Sequence, residues 1–537
     1  MSDAAVPPAP GSIDQGRGDL TPSPSGPPAP PYAPGSGAPG ATAMRHGAPA
    51  SLPRAPGRWD FAISAFWRGS TVPLDRWRLG AVAAVGLLGG VAVVGHQIGL
   101  GMTVVGLGVL ATAVPAMLQR RAVGDLLTLV LAGALLLMVS VRAAEWVVAL
   151  CLLAAVGAAT AALTAARRPS TVLLAPLVAA LGTLRALPSV RRSLGALAGS
   201  RRESVLVAVR TLVVTALLVG VFVALFASAD AVFAAFLPRV DIGLLPGQVV
   251  VGLIVAVLAA GAAHLSVAPA PWPAAPDGTA RRQVRPGEWF LPIIALDTVV
   301  VAFVLVQIGA LIGGHAFVQR TAGLTYADYA REGFGQLVAV TVLTLGVVAL
   351  AARWAPRVTG AHRRGSSLAL GVLCLSTLGV VGSAVQRMAL YVDAFGLTRL
   401  RITVLVAEIA LGVVFLLVIA AGVRWRGAWL PRAVVQVVAV AVLALAVMNP
   451  DALIVQRNGH LSVSGDGLSD GIANRVDVGY LRGLSADAVP AADGLAEPVR
   501  TAVLDGRTAP TSDGLAGWNL GRARAVEVLD ELGADSP

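Results

Sequence analysis

The run RITVLVAEIALGVVFLLVIAAGV, residues 401–423, decides the fold. After Arg401 it holds a single charge, Glu408, in a stretch matching the roughly 20 apolar residues a helix needs to cross about 30 Å of hydrocarbon. Ten further runs of this kind are read near 79–95, 102–118, 125–141, 146–166, 206–227, 245–266, 290–313, 335–354, 366–386 and 430–448. The composition agrees. Of the 537 residues, 56% are hydrophobic and 13% charged, against about 25% charged in a soluble domain. Such a chain has too little polar surface to cover itself in water, so lipid is its solvent. The predicted fold class is all-α, a polytopic transmembrane helical bundle of eleven spans.

Working outward, three regions follow. Residues 1–57 are rich in Pro, Gly and Ala, as in Pro22-Ser23-Pro24-Ser25-Gly26-Pro27-Pro28, and cannot bury enough apolar surface to offset the entropy of ordering, which predicts a disordered cytoplasmic tail. Residues 77–448 form the bundle. Its first two spans make a hairpin in which Gly86 and Gly90 stand four apart, with Gly80, Gly95, Gly101 and Gly106 nearby, a spacing that lets helix backbones approach closely in lipid. Residues 449–537 hold seven arginines against thirteen acids. Short helices are expected there near 475–485 and 517–533, docked on the outer loops.

Arginine placement sets the expected orientation. With the amino terminus inside, the inner loops receive pairs such as Arg120-Arg121, Arg167-Arg168, Arg191-Arg192, Arg201-Arg202, Arg281-Arg282 and Arg363-Arg364. The outer loops receive scattered residues, among them Arg142, Arg239, Arg320, Arg331, Arg387, Arg399 and Arg401. This is the positive-inside pattern, and an odd span count then puts 449–537 outside the cytoplasm, in a cell membrane. The stretch 171–187, apolar but carrying Pro176 and Arg185, would reverse that pattern as a twelfth span, so it is laid on the cytoplasmic interface.

Several function classes drop out. All 41 basic residues are arginine, and with no lysine there is neither a P-loop nor Schiff-base chemistry. The net charge of +11 borders apolar runs and points to no nucleic acid. Cys151 and Cys374 read as small core residues. The six histidines lack the i, i+4 spacing of a helical zinc site, so no metal and no cofactor are expected. Gly467-Leu468-Ser469-Asp470-Gly471 fits a nucleophile motif, but it lies in a Gly/Ser linker with no downstream histidine, and no catalytic residue is assigned.

Charges within spans are functional candidates by default, here Arg210, Asp297 and Glu408, with Arg210 and Asp297 near enough in depth to meet. A second set lies in the outer loops: Asp230; Tyr326, Asp328, Tyr329, Arg331 and Glu332; and Arg387, Tyr391, Asp393, Arg399 and Arg401. An aromatic belt with surface ion pairs accounts for these, and so does a site for an anionic or polar ligand lined by Arg331, Arg387 and Arg399.

These loop motifs are followed by Asn449-Pro450-Asp451, Asn458, Asp477, Tyr480-Leu481, Asp487 and Trp518-Asn519-x-x-Arg522. Together they resemble a bacterial multi-pass membrane family of unknown function (DUF4173, related to DUF4153), from about the first span to the end. The resemblance implies an integral membrane protein with no catalytic residue or cofactor to carry over. It also implies that loop and tail motifs belong to one unit. The expected role is non-enzymatic: a sensor, scaffold or assembly factor in the lipid bilayer, with a polar outer recognition surface for an anionic or polar ligand or a protein partner. The alternatives are a secondary transporter using intramembrane carboxylates and a membrane enzyme acting on a lipid-linked substrate.

Overall fold

In lipid every backbone N–H and C=O must be bonded within the protein, and among the described residues helix is the sole regular answer, with no strand. The computed structural model describes residues 64, 66, 67, 74–198, 202–230, 242–272, 285–322, 334–355, 359–424, 427–459, 477–511 and 513–534. The expected disordered head therefore lies outside them.

The long helices are α1 (Arg76–Val93), α2 (Leu100–Ala111) continued by α3 (Val114–Gln119), α4 (Val123–Val141), α5 (Glu145–Leu163), α6 (Pro169–Ala198) and α7 (Arg202–Ala229). After them come α8 (Leu245–Val267), α9 (Pro286–Ala322), α10 (Phe334–Trp354), α11 (Gly360–Phe395), α12 (Arg399–Arg424) and α13 (Leu430–Val447). The remainder is short: α14 (Pro450–Gly459), α15 (Val478–Arg482), α16 (Val489–Asp493), α17 (Val499–Leu504) and α18 (Leu520–Ala534).

Contacts at the helix ends define two faces. Arg432 at the start of α13 pairs with Asp125 at the start of α4 at 3.2 Å. Trp289 Nε1, in the first turn of α9, donates to the Ala351 carbonyl at the end of α10 (3.0 Å). These ends belong to the far face. The opposite face carries the segments after α13 and is called the tail face.

Eleven described helical stretches are long and apolar enough to cross a membrane, and Pro169–Ala196 is one of them. Its contacts place it otherwise. At its start the Arg167 and Arg168 N–H groups donate to Thr171 Oγ1 (3.1 and 3.0 Å), while Arg167 Nη2 reaches Asp125 at 3.0 Å. Toward its other end Ser193 Oγ accepts from Leu74 N at 2.8 Å, just before α1 begins. Between these points Ala186 packs with Val82, Ala259 and Ala260. Both ends of α6 thus lie on the far face, and it runs across the far-side halves of α8 and α1. The chain then has to reach the tail face, where Leu244, just ahead of α8, lies against Gly95. The helix available is α7, about 42 Å long at 1.5 Å per residue.

Two helix groups result, one of α1–α6, α8 and α13, the other of α9–α12, joined where α12 packs on α13. Without a hydrophobic drive between helices in lipid, close packing has to hold the first group. The antiparallel α1–α8 contact shows how. A methyl group added to Gly86 would stand 2.7 Å from Ala256 Cβ, one on Gly89 2.8 Å from Val255, and one on Gly90 would run into the Gln248 carbonyl oxygen. Gly80, by contrast, faces open space. We expect Gly90→Ala to lower the thermal midpoint in detergent by several degrees, as overpacking costs about 1–3 kcal/mol, and Gly80→Ala to hold or raise it. Equal behaviour of the two would refute close approach as the organising contact of this pair.

Candidate functional site

The chain leaves α13 through Asn449, whose φ of 50° is left-handed, a conformation asparagine tolerates better than most residues. That turn delivers Asp451 into the first turn of α14 and under the tail. Asp451 is 0% exposed. Arg399 Nε and Nη2 donate to its two carboxylate oxygens at 2.9 and 2.6 Å. Trp146 Nε1 adds a bond at 3.3 Å and the Ser485 N–H one at 2.9 Å. Burial pushes the Asp451 carboxyl up, but the Arg399 and Ser485 bonds outweigh it and hold the group below the usual aspartate range.

Asp487 makes the second junction. Its Oδ2 accepts from Ala143 N and Ala144 N at 2.7 and 2.8 Å, capping the entry to α5. Here burial prevails over those bonds and raises the carboxyl above its ordinary value. Arg142 closes the other side by donating to the Ala446 and Val447 carbonyls at the end of α13 (2.5 and 2.8 Å). The Asn519 side chain donates to the Val139 and Arg142 carbonyls (3.0 and 2.8 Å) and accepts from Arg522 N at 3.2 Å. Arg522 Nη2 donates to the Ile98 and Gly517 carbonyls. Leu100 N donates to the Trp518 carbonyl (2.9 Å), and Asp513 accepts from Gln97 N (2.5 Å).

Most of the predicted tail residues therefore turn out to be docking groups. Asn458 both accepts from Leu397 N and donates to its carbonyl (2.7 and 2.9 Å), and Tyr480 Oη accepts from Arg399 N at 3.0 Å. Asn449 reaches the Asp487 carbonyl at 3.3 Å. The loop candidates separate. Asp393 pairs with Arg457 at 2.5 Å. Arg401 lies over the Tyr391 ring, 4.1 Å from its centroid. Arg387 is buried on α11 and donates to Gln307 at 3.0 Å. Asp230 is exposed just past α7. Tyr326, Asp328, Tyr329, Arg331 and Glu332 lie outside the described residues. Arg387 and Arg399 are thus held by different partners, Gln307 and Asp451, and Arg331 lies outside the described residues.

Of the intramembrane charges, Arg210 is exposed on α7 and forms no ion pair with Asp297, so the expected meeting does not occur. Asp297 is buried on α9 with Oδ1 unpartnered. Glu408 on α12 is 0% exposed, and neither carboxylate oxygen has a hydrogen-bond partner. Sequence reading passed over Asp125, which is buried at the start of α4 between Arg167 and Arg432. At the first residue of a span it looked interfacial, and its partners are 42 and 307 positions away. No group of three metal-binding side chains occurs among the described residues.

The docked tail leaves a cleft of about 980 Å³ beside the start of α5, lined by Arg142, Arg399, Arg522, Glu145, Trp146 and Leu152 among others. Fold and contacts together define a polytopic α-helical membrane protein with a folded tail capping one face. Within that class, a family model described as a domain of unknown function (DUF4153) matches residues 127–495, more than half of the chain, and the protein belongs to that family. The matching model is DUF4153 rather than DUF4173. The match ends before Trp518, Asn519 and Arg522, so these three stand beyond it. No curated protein and no solved structure matches the chain.

Removing one partner of a buried ion pair strands the other charge. Arg399→Gln should cost about 2–3 kcal/mol and expose the tail to proteolysis in detergent. The apolar double replacement Arg399→Met with Asp451→Leu should restore part of the loss, because it removes the stranded charge while leaving the Trp146 and Ser485 N–H groups without this acceptor. The folded value of Asp451 lies below its unfolded one, so its stabilisation is full above the ordinary aspartate range and fades as pH falls through the lowered value. Asp487, displaced upward, acts in the opposite sense. Acid should therefore loosen the tail of the wild type and leave the double variant's tail less affected, as read by limited proteolysis across a pH series.

Proposed function

We propose that the chain is a non-enzymatic membrane receptor or scaffold whose tail face lies outside the cytoplasm and works as one polar recognition surface. What carries the reading is the apolar cluster beneath the tail. Leu397 and Ile402 from one helix group, Leu445 from the other, and Ile454, Leu481, Val489 and Val503 from the tail pack together. A partner that bears on the tail therefore bears on both helix groups at once. The excess of arginine in the segments assigned to the far face supports the orientation.

A second reading has its own observation. A fully buried glutamate without a hydrogen-bond partner is costly in a membrane helix, and Glu408 is in that condition. A secondary transporter would use such a carboxyl as its coupling group.

Two measurements separate these. In a chain with Cys151 and Cys374 changed to Ala, single cysteines at exposed Leu515 on the tail and exposed Ala361 on the far face report sidedness. A membrane-impermeant maleimide on intact cells should label position 515 and spare 361, and the reverse pattern would overturn the orientation. In proteoliposomes, proton-coupled solute uptake abolished by Glu408→Gln would favour the transporter over the receptor.

A further inference from the structure

We propose that the 980 Å³ cleft between α5 and the docked tail holds the headgroup and upper acyl segment of an anionic lipid, by class a phosphate diester. This deepens the recognition-surface reading and rests on it.

The polar end is built from three separate parts of the chain: Arg142 between α4 and α5, Arg399 at the start of α12, and Arg522 in α18. Each guanidinium is held in place by two N–H bonds to acceptors of the protein. Each has further N–H donors beyond those bonds. Preset guanidinium groups with donors to spare suit a phosphate oxygen better than a neutral ligand. The nearby acids do not compete equally. Both oxygens of Asp451 are taken by Arg399, Trp146 and Ser485; Asp487 Oδ2 is held by two backbone N–H groups, its buried Oδ1 having no hydrogen-bond partner, and Asp513 accepts from Gln97 N. Glu145 is the single acid among the cleft's described lining residues.

The other end is apolar and leads into the membrane. Trp146, Val148, Ala149 and Leu152 of α5 line it. Leu152 sits about 10 Å below the start of the helix at 1.5 Å per residue. The positions Ala149, Leu152, Leu153 and Val156 are spaced i, i+3, i+4, i+7 and share one helix face. Below the cleft that face stays uncovered, with Leu153 77% and Val156 55% exposed. A cationic mouth and a greasy track running from it to hydrocarbon depth match a molecule with a phosphate at one end and a chain at the other. A free phosphate would use the mouth alone. The volume lies at the upper end of the roughly 300–1,000 Å³ typical of ligand pockets.

The test uses the full chain, stripped of lipid in neutral detergent and titrated by native mass spectrometry with phosphatidylglycerol, phosphatidylcholine or glycerol phosphate. Phosphatidylglycerol should bind at least ten-fold tighter than phosphatidylcholine. Arg522→Gln, which removes cleft charge, and Ala149→Trp, which fills the apolar track, should each weaken it ten-fold or more. Equal retention of the two lipids, or wild-type affinity in both variants, would overturn the proposal. Displacement of the lipid by an equal concentration of glycerol phosphate would overturn it as well, assigning the mouth to soluble phosphates. Ala149→Trp touches no docking bond of the tail, so it keeps the test decisive if Arg522→Gln undocks the tail. Lost binding preference with the tail still protease-resistant sinks this inference alone, whereas a wild-type tail that is protease-sensitive sinks the reading beneath it.

Discussion

The tail face depends on the Asp451 carboxylate. Taking such a group fully out of water costs several kcal/mol. Here the cost is offset by donors from three places distant in sequence: Arg399 at the head of α12, Trp146 in the first turn of α5, and the Ser485 N–H in the tail. No one of these segments could satisfy the carboxylate alone. Its burial therefore holds the α5 entry, the α12 entry and the tail in one arrangement, and Asn458 and Tyr480 repeat the same bonding on the neighbouring backbone of Leu397 and Arg399.

The two sides of the molecule are held by different physics. Within the bundle, lipid removes the hydrophobic drive between helices, and the α1–α8 pair relies on glycines that bring backbones into contact. Beyond the helix ends, water restores that drive, and the tail uses it. Its buried leucines and valines form one cluster with Leu397, Ile402 and Leu445. A segment of so polar a composition would make a poor core alone, but it can complete a core that the loops begin. The arginines at this seam are fixed by carbonyls and carboxylates on several segments, and for that reason they can present a defined shape to a ligand.

The span pattern was legible because hydrophobic length responds to one external constraint, the thickness of the bilayer, which needs no knowledge of neighbours. The tail motifs were visible as motifs too, but their purpose was not. Asp451, Asp487, Asn458 and Asn519 stand out as parts of one unit with the loops, and the structure shows the bonds by which their side chains join it. Arg399 was grouped with Arg387 as a ligand site, and only folding showed it paired to a residue 52 positions on. Asp125 gave no signal at all, since its arginine partners come from the α5–α6 connection and from α13, far along the chain.

The sequence by itself determined the solvent of the chain, the helical class, the alternation of crossings and the polar character of the tail, all of which follow from composition and from runs of neighbouring residues. For α6, long and apolar enough to span, the arginine pattern lays 171–187 on an interface, and tertiary structure decided which helix ends it runs across. It also decided that the tail closes over both helix groups and that three arginines meet around a cleft. These outcomes rest on contacts between residues far apart in the chain, and such contacts depend on which helix ends come together in space.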